Sequence, residues 1–412
     1  MHLSIRDADA LRLSPCDDPG FSNGVCSMQL VDGRWQISGH DVQALSEQHG
    51  TPLYIYDSQA IRRQVKRFRE AFSAFDHRIY YAMKANSNPD LLMLMNELDL
   101  GIDAVSIYEI GIALEAGFEA RDIIFTPNGV PFDELEQAIE LGTRLNIENL
   151  SYLDKLGEAY RGEVPCTLRI HPGHVISTDN HDAEGWYQRS RFGIDGDQIS
   201  EAMRLIKMHG IRVEGLHVHS SSMILDEHLF GAAAKVLLNL ARQLPDVRAI
   251  DLGGGIRPPY RDEDDHPDLD LLSRALTKPL DQFEQETGRN LQLWFEPGRY
   301  LVAECGTLLT RVHVMKQVGG RAIACVDTGF HQLIRPRLYD AWHEIRNISN
   351  PDGPHRVIDI SGCLCEEDDL ARQRSLPEVR EGHLLAILNA GAYGYSMAST
   401  YNSRPLPAEV VL

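Results

Sequence analysis

Four short segments that could carry chemistry each follow an apolar run of the sequence. They are Lys84, the pair His217 and His219, the triplet Gly253-Gly254-Gly255, and Glu296-Pro297-Gly298-Arg299. Each has an ordinary explanation when taken singly, because a lysine after a strand is usually solvated and glycine-rich segments are often only turns. Together they offer an amine, two imidazoles, an unhindered backbone and a carboxylate.

This combination of groups suits pyridoxal 5'-phosphate as a cofactor. A lysine amine condenses with the aldehyde of that cofactor, and a carboxylate keeps its pyridine nitrogen protonated so that the ring accepts electrons. Glycines after a strand let backbone N–H groups approach a phosphate, and a histidine ring can stack against the pyridine. We therefore expect the four segments to meet around this cofactor.

The order of the predicted elements gives a fold in which these segments converge. Apolar or β-branched runs recur at intervals of roughly 20 to 45 residues, and helical patterns separate them. The predicted strands lie at 78–83, 101–105, 122–126, 144–147, 166–170, 213–219, 248–252 and 292–295. Eight β-then-α units predict an α/β TIM barrel, and the carboxyl ends of its strands meet at one mouth.

After about residue 300 the strands follow one another without long helices, which predicts a second, mainly β domain. Its predicted strands lie at 300–316, 321–327, 356–360 and 383–388. A hairpin at 28–38, with Asp32-Gly33 as its turn, precedes a helix at 41–48 and a strand at 52–56. We expect a flexible segment at 1–25, an N-terminal arm at 26–50 that joins the β domain, the pyridoxal-phosphate-binding barrel at 51–299, and the C-terminal β domain at 300–412.

Composition and charge exclude several classes of protein. The 412 residues include 60 acidic and 40 basic side chains, so the net charge is −20, and such a chain repels nucleic-acid phosphates. The sequence shows no secretory signal pattern and no apolar run long enough to span a membrane. Seven scattered cysteines indicate a reducing compartment, and Cys363 and Cys365 lack the partners that a zinc site needs. We expect a cytoplasmic protein without nucleic-acid, membrane or metal partners.

Seven motifs, in this order and spacing, resemble those of a known family. They are Tyr81-Ala82-Met83-Lys84-Ala85-Asn86, Gly215-Leu216-His217-Val218-His219, Asp251-Leu252-Gly253-Gly254-Gly255, Glu296-Pro297-Gly298-Arg299, Arg335-Pro336-Arg337-Leu338-Tyr339, Cys365-Glu366 with Asp369, and Gly391-Ala392-Tyr393-Gly394. Over residues 25–412 the sequence resembles the fold-type III pyridoxal-phosphate-dependent decarboxylases, most closely the members that act on diaminopimelate.

The resemblance implies a role for each residue around the cofactor. Lys84 would bind the cofactor covalently, and His219 would stack on the pyridine ring, whose nitrogen would pair with Glu296. The phosphate would be held by Ser222, Gly254, Gly255 and Tyr393. The implied cofactor contacts also include Gly298 and Arg299.

The resemblance also implies a substrate site and an oligomer. The implied substrate contacts are Arg299, Arg335, Tyr339, Glu366 and Tyr393. Guanidinium groups meet a carboxylate bidentately, Glu366 suits an ammonium group, and Cys365 would be the catalytic acid that protonates the α-carbon after CO₂ leaves. In this family Cys365 and Glu366 reach the site from the neighbouring subunit, so a homodimer with shared active sites is implied.

Three segments depart from the family pattern. They are Ser220-Ser221-Ser222 after His219, Glu367-Asp368 after Glu366, and Asp179 in place of a usual glycine. A serine in place of glycine restricts the backbone beside the cofactor. We expect Glu367 and Asp368 to add two negative charges beside the substrate pocket, which bears on the choice of substrate.

Four functions follow as alternatives. The leading one is decarboxylation of meso-diaminopimelate to L-lysine and CO₂. The second keeps this reaction but acts on a related diamino acid or conjugate of a siderophore or antibiotic pathway. An alanine-racemase-type enzyme would use a tyrosine base in place of Cys365 and Glu366, and a non-catalytic homologue should have lost Lys84 or Cys365; the sequence retains all three residues.

Overall fold

Two sheets organise the protein, a closed parallel barrel and a second, mostly antiparallel sheet. The structure is a computed structural model that describes residues 28–171, 173, 190–219, 227–261 and 263–412. The segment predicted to be flexible, 1–25, and the departures at Asp179 and at 220–222 lie outside the described residues.

The described chain begins with a small antiparallel sheet. Its strands are β1 (Met28–Val31), β2 (Arg34–Ile37) and β3 (His40–Asp41). As predicted, Asp32 and Gly33 form the hairpin turn, and both have the positive φ (49° and 76°) that a two-residue turn requires. Helix α1 (Val42–His49) and strand β4 (Leu53–Tyr56) follow.

Eight parallel strands form the closed barrel. They are β5 (His77–Ala82), β6 (Gly101–Ala104), β7 (Ile123–Phe125), β8 (Arg144–Ile147), β9 (Cys166–Arg169), β10 (Val213–His217), β11 (Ala249–Asp251) and β12 (Gln292–Phe295). The predicted TIM barrel is confirmed, and each strand lies within two residues of its predicted bounds. Apolar runs bury both faces of these strands, as a parallel sheet under a layer of helices requires.

Helices follow the barrel strands and cover the outside. They are α2 (Ser58–Ala71), α3 (Pro89–Glu97), α4 (Ile107–Glu115), α5 (Phe132–Leu141), α6 (Leu150–Tyr160), α7 (Ile199–His209), α8 (Glu227–Ala241) and α9 (Leu269–Thr287). No helix in the described ranges has the length and apolar character needed to cross a membrane.

The second sheet contains eight strands, most of them from the C-terminal part of the chain. After the short helix α10 (Arg299–Val302) come β13 (Gly306–Val318), β14 (Arg321–Val326), α11 (Arg335–Tyr339), β15 (Ile345–Asn347), β16 (His355–Ser361), β17 (Asp369–Pro377), β18 (Leu384–Ile387) and β19 (Ala408–Val411). The sheet runs in the order β15-β18-β13-β14-β16-β17, and β4 joins it between β13 and β19.

The second sheet differs from the sequence prediction in several places. The segment predicted as a strand from residue 300 first forms α10. Strand β4, which falls within the range expected for the barrel, pairs instead with β13 and β19. Strands β15, β17 and β19 were not predicted; in β17, alternating polar residues conceal the buried positions that pack inward. Each of these assignments depends on a partner that is distant in the sequence.

The N-terminal arm contacts the second sheet through side chains. Met28, Ile37 and Val42 belong to one apolar cluster with Ile55 of β4 and Leu309 of β13. The arm therefore packs against the second sheet, whereas its own three strands pair only with each other among the described residues.

An aromatic cluster holds the strand end that leads into Glu296. Phe295, the last residue of β12, packs against Phe72 and Phe68 with ring centroids 4.5 and 5.2 Å apart. Phe230 of α8 stacks on the same ring at 6.2 Å. The helices α2 and α8 thereby fix the position of β12 at the barrel mouth.

We predict that Phe72→Ala lowers the free energy of unfolding by about 3–5 kcal/mol, because the ring is fully buried and its loss leaves a cavity. Urea unfolding followed by circular dichroism measures this change. Tyr108→Ala is the control, since Tyr108 is 81% exposed and should change stability by less than about 0.5 kcal/mol. Equal midpoints for Phe72→Ala and the control would contradict the prediction.

Candidate active site

Lys84 projects from a single helical turn at the end of β5. The chain leaves the strand at Ala82, and Met83 and Ala85 on either side of Lys84 are buried. Lys84 itself is 40% exposed, and its Nζ donates to the Asp103 carboxylate at 2.8 Å. Burial alone lowers the pKa of this amine, but the negative charges of Asp103 and Glu296 outweigh that effect and raise it. The resting amine is therefore an ammonium group held by Asp103.

Glu296 follows β12 and faces a histidine of β10. Its Oε2 lies 3.2 Å from His217 Nε2, and both side chains are almost fully buried. Burial raises the pKa of Glu296, but contact with His217 and the charge of Lys84 reverse this and hold the pKa below its ordinary value. The carboxylate therefore stays ionised in the barrel.

Further hydrogen bonds hold His217 from behind. Asn146 of β8 approaches His217 Nδ1 at 2.6 Å through its Nδ2, and the same amide donates to Thr126 Oγ1 at 3.2 Å. With the Asn146 amide as donor, Nδ1 accepts, and the proton of the neutral ring lies on Nε2, the nitrogen nearest Glu296. Thr126, Asn146 and His217, at the ends of β7, β8 and β10, thereby orient the Glu296 carboxylate.

His219 lies beside this pair, two residues beyond the end of β10. The nearest ligand atoms of His217, His219 and Glu296 all lie within 4.8 Å of one another. Burial and the positive charge of Arg169 lower the pKa of His219 to about 3. Its ring is therefore neutral, and its Nδ1 accepts the Gly254 N–H at 3.3 Å.

Two glycines lie where any side chain would collide with the backbone. A Cβ on Gly254 would overlap the Glu296 carbonyl oxygen, and a Cβ on Gly298 would lie 3.0 Å from the Ala82 carbonyl oxygen. These contacts bring the turn after β11 against the turn after β12, and the turn after β12 against the strand that leads to Lys84. The glycines therefore serve close packing as well as any approach to a phosphate.

The residues at this mouth fit pyridoxal phosphate. Glu296 Oε1 is buried without a hydrogen-bond donor in the described part of the chain, and a protonated ring nitrogen is such a donor. Lys84 supplies an accessible amine at the end of β5, the strand that pairs with β12. Burial and the charge of Glu296 hold the pKa of Asp251 well above its ordinary value, whereas that of Glu296 is lowered, so Glu296 is the member of this pair that favours the ionised form.

Two arginines and two tyrosines form a second cluster beside Lys84. Arg299 donates to the Tyr260 hydroxyl at 3.2 Å and lies 4.9 Å from the centre of the Tyr393 ring. Arg335, from α11, lies 4.6 Å from the centre of the Tyr260 ring. The Tyr393 N–H donates to the Ala85 carbonyl at 2.8 Å, which ties this cluster to the turn that carries Lys84.

Neither arginine of this cluster has an acidic partner. Arg335 is 4% exposed, yet across the described ranges no carboxylate forms an ion pair with it or with Arg299. A buried cation without a counter-ion is unfavourable unless a ligand supplies the negative charge. The cluster is therefore built to receive an anion.

Cys365, Glu366 and Tyr339 lie at the surface of the protomer. Cys365 contacts Asn402 at 3.5 Å, and Glu366 accepts from the Tyr401 hydroxyl at 2.9 Å. Tyr339 is 60% exposed. Among the described residues, no hydrogen bond or ion pair joins these three side chains to Lys84, whose partner is Asp103, so a single chain does not bring them onto the amine.

The expectation that Glu367 and Asp368 both add charge to the substrate pocket is wrong for Asp368. This side chain is 3% exposed and turns into its own loop, where it accepts the N–H groups of Phe330 and Leu364 at 2.6 and 3.1 Å. Burial also raises its pKa. Glu367 is 80% exposed and lies 4.0 Å from Arg337. Asp368 therefore shapes the loop that carries Cys365.

The structure thus brings together Lys84, His219, Gly254, Glu296 and Arg299 at one barrel mouth. Gly255, Gly298 and Tyr393 adjoin them, and Arg335 reaches the same region from the second sheet. Ser222 lies outside the described residues. Sequence reasoning did not find Asp103, Asn146, Tyr260 and His343. Asp103 and Asn146 had a detectable signal, since each is a polar residue near the end of a predicted strand.

Comparison with known proteins places the chain in a family. A family model described as "Pyridoxal-dependent decarboxylase, pyridoxal binding domain" matches residues 58–303, more than half of the chain. The diaminopimelate decarboxylase of Methanothermobacter thermautotrophicus is 38% identical over 390 residues, which are 92% of this chain and 91% of that protein. The Aquifex aeolicus diaminopimelate decarboxylase is 34% identical and covers 93% of this chain and 92% of its own length.

Solved structures agree with the sequence comparison. The M. jannaschii diaminopimelate decarboxylase in complex with L-lysine superposes with a TM-score of 0.87 at 30% identity, over 94% of this chain and 92% of that one. The lysine/ornithine decarboxylase of Vibrio vulnificus, at 22% identity and a TM-score of 0.78, shares the fold. With a pyridoxal-binding barrel, its lysine and its carboxylate in place, this chain belongs to the pyridoxal-dependent decarboxylases, in the diaminopimelate decarboxylase family.

Proposed function

We propose that this protein is a pyridoxal-phosphate-dependent carboxy-lyase that converts meso-diaminopimelate to L-lysine and CO₂. The observation that carries the proposal is the pair of unpaired arginines beside the Lys84 turn. An amino acid whose far end bears a second carboxylate supplies the anion that Arg299 and Arg335 lack. The relatives named diaminopimelate decarboxylase, which match over nine-tenths of the chain, support this choice.

The residues at the barrel mouth would each contact a different part of the cofactor. When bound, pyridoxal phosphate supplies an electron sink for the electron pair left by the departing carboxylate. Lys84 Nζ is the amine that holds the cofactor aldehyde, and Glu296 presents a negative charge to the ring nitrogen. His217 keeps that charge in place, while the neutral His219 offers a flat ring without repelling a protonated pyridine.

Protons at this site have defined positions. Asp103 Oδ2 accepts from Lys84 Nζ at 2.8 Å, so the carboxylate stabilises the ammonium form whenever the amine is free. Cys365 Sγ is our candidate for the acid that returns a proton to the α-carbon after CO₂ has left. Its exposure on the protomer leaves the thiol accessible to a second molecule.

We propose that the enzyme is a homodimer in which Cys365 and Glu366 complete the neighbouring site. Both residues lie on the exposed loop before β17, and the exposed aromatic residue Tyr401 donates its hydroxyl to Glu366 there. Exposed aromatic groups are typical of an interface. On the partner's barrel, Glu366 would face the ammonium end of the substrate, whereas Tyr339, which lies close enough to Arg299 of its own chain to act on it electrostatically, would contact the substrate of its own site.

We also propose the division of the chain that the sequence suggested. The arm at 26–50 belongs with the β domain at 300–412, against which it packs, and the barrel occupies most of 51–299. Five described cysteines are free thiols, which supports a reducing compartment and hence a cytoplasmic location.

The alternative of a substrate from a siderophore or antibiotic pathway loses part of its basis. It rested partly on two added charges at Glu367 and Asp368, and Asp368 is turned away into its loop. The presence of Lys84 and Cys365 argues against a non-catalytic homologue. The presence of Cys365-Glu366 argues against a racemase.

We expect the cofactor to be attached to Lys84. Borohydride reduction of the purified protein, followed by peptide mass spectrometry, should locate a phosphopyridoxyl group on the peptide that contains this residue. Lys84→Ala should carry no reducible label, whereas Lys155→Ala, which alters a lysine of helix α6, should be labelled like the wild type. A label on any other lysine in Lys84→Ala would overturn the assignment.

Release of CO₂ from a set of amino acids tests the substrate. Meso-diaminopimelate should be cleaved at least about 10- to 150-fold more efficiently than lysine or ornithine, because one charge-assisted contact to the far carboxylate is worth about 1.5–3 kcal/mol. The set should include diamino-acid conjugates. Equal rates with lysine and diaminopimelate would show that the far carboxylate is not recognised.

Subunit complementation tests the shared active site. Lys84→Ala and Cys365→Ala chains should each be nearly inactive alone. After mixing equal amounts and random re-pairing, about a quarter of the sites should recover activity, since only mixed dimers contain one site with both residues. Absence of recovery, with subunit exchange demonstrated by differently tagged chains, would mean that each site is built within one chain.

A further inference from the structure

We propose that His343 is a positioning residue that fixes Arg335 for the far carboxylate of the substrate, with Tyr260 as the platform beneath the guanidinium. This inference rests on the proposed function, because it concerns the same pocket. His343 lies in the connection between α11 and β15, in the domain of the second sheet. Neither His343 nor Tyr260 stood out in the sequence.

The hydrogen bonds of His343 determine the tautomer of its ring. His343 Nδ1 lies 2.8 Å from the Leu388 carbonyl oxygen, and Nε2 lies 2.9 Å from Arg335 Nη1. A carbonyl oxygen can only accept, so Nδ1 carries the proton. Nε2 then has a free lone pair, and it accepts from the guanidinium.

The ring also remains neutral in its surroundings. His343 is 2% exposed, and burial together with the charge of Arg335 lowers its pKa to about 3. A neutral ring can hold a cation that a protonated ring would repel. The Leu388 carbonyl thus selects the one form of the imidazole that serves Arg335.

Tyr260 holds the guanidinium from a second direction. Its ring lies 4.6 Å from Arg335 Cζ and makes an edge contact with the His343 ring at 5.6 Å. Its hydroxyl accepts from Arg299 at 3.2 Å. One tyrosine from the barrel therefore joins both arginines, and the interaction of a cation with an aromatic face stabilises Arg335 without neutralising it.

This support leaves the charge of Arg335 available for a ligand. An acidic partner would also have held the guanidinium, but it would have competed with the substrate carboxylate. A neutral acceptor and a ring fix its geometry while the positive charge stays uncompensated. Preorganisation of this kind lowers the entropic cost of binding. We expect the effect to appear only with ligands that carry the far carboxylate.

Two substitutions at one position separate the two hydrogen bonds of His343. A glutamine amide reaches about as far as Nε2, so His343→Gln keeps an acceptor for Arg335. An asparagine amide reaches only as far as Nδ1, so His343→Asn can keep the bond to Leu388 but loses Arg335. His383→Asn is the matched control, because His383 lies in the same sheet and bonds Asn347 rather than either arginine.

Calorimetric binding of two ligands to the holoenzyme gives the readout. L-lysine and 1,5-diaminopentane share both amines and differ only in the carboxylate. His343→Asn should bind L-lysine about 10- to 100-fold more weakly than the wild type, with affinity for the diamine changed less than about 3-fold. His343→Gln and His383→Asn should stay within about 3-fold for both ligands. The KM for meso-diaminopimelate should rise in His343→Asn with a smaller change in kcat.

The outcomes separate this inference from the proposed function. Equal weakening of both ligands, or unchanged binding of L-lysine in His343→Asn, would overturn the role of His343. A wild-type enzyme that releases no CO₂ from meso-diaminopimelate would contradict the proposed function instead. If His343→Asn does not fold, ¹⁵N NMR of the histidine rings in the wild-type protein decides the question. A His343 ring protonated at Nε2 would exclude the bond to Arg335.

Discussion

A carboxylate kept ionised inside a barrel is the constraint on which the rest of the site depends. Glu296 is buried to 5% exposure, and burial by itself would protonate it. The contact with His217 at 3.2 Å, with Asn146 behind it, prevents this. Because the supporting residues come from β8 and β10 while Glu296 follows β12, only a closed barrel brings them together.

The substrate end of the site depends on a different kind of contact, the one between the barrel and the second sheet. Arg299 and Tyr260 belong to segments that follow barrel strands, whereas Arg335 and His343 come from the second domain. The barrel can therefore hold the cofactor with its own residues, but it cannot complete the anion cluster alone. The barrel thus supplies the catalytic chemistry, and the contact with the second domain determines the choice of substrate. The substrate contacts can therefore vary while the catalytic residues stay fixed.

The sequence predicted the barrel and the cofactor residues well, because both follow from local patterns. Buried parallel strands appear as apolar runs, and Lys84 and Glu296 lie where such runs end. The supporting residues are harder to predict, because only the fold shows what each of them contacts. Asn146 lies near the end of its strand but bonds His217 of another strand, Tyr260 lies in a loop, and His343 meets Leu388 only through the fold.

Asp368 shows a second limit of prediction from the sequence. A sequence gives the charge of a side chain but not its direction, and this acid points away from the pocket because Gly329 and Gly362 leave room for it in the loop. Strand β17 was missed for a similar reason, since its polar residues pair with β16 while only part of one face is buried. In both cases the decisive partner lies elsewhere in the chain.

The pairing of β4 also has a consequence for biosynthesis. This strand is fully buried and apolar, and both of its neighbours, β13 and β19, are made much later; the Tyr56 hydroxyl bonds Glu409 across 353 positions of the chain. At about 5–20 residues per second, translation separates these two residues by roughly 20–70 s. Strand β4 of the nascent chain therefore stays unpaired, and prone to pair with other chains, throughout the synthesis of the barrel. Until β13 and β19 have been made, residues 53–56 therefore depend on chaperones at the ribosome for protection against aggregation.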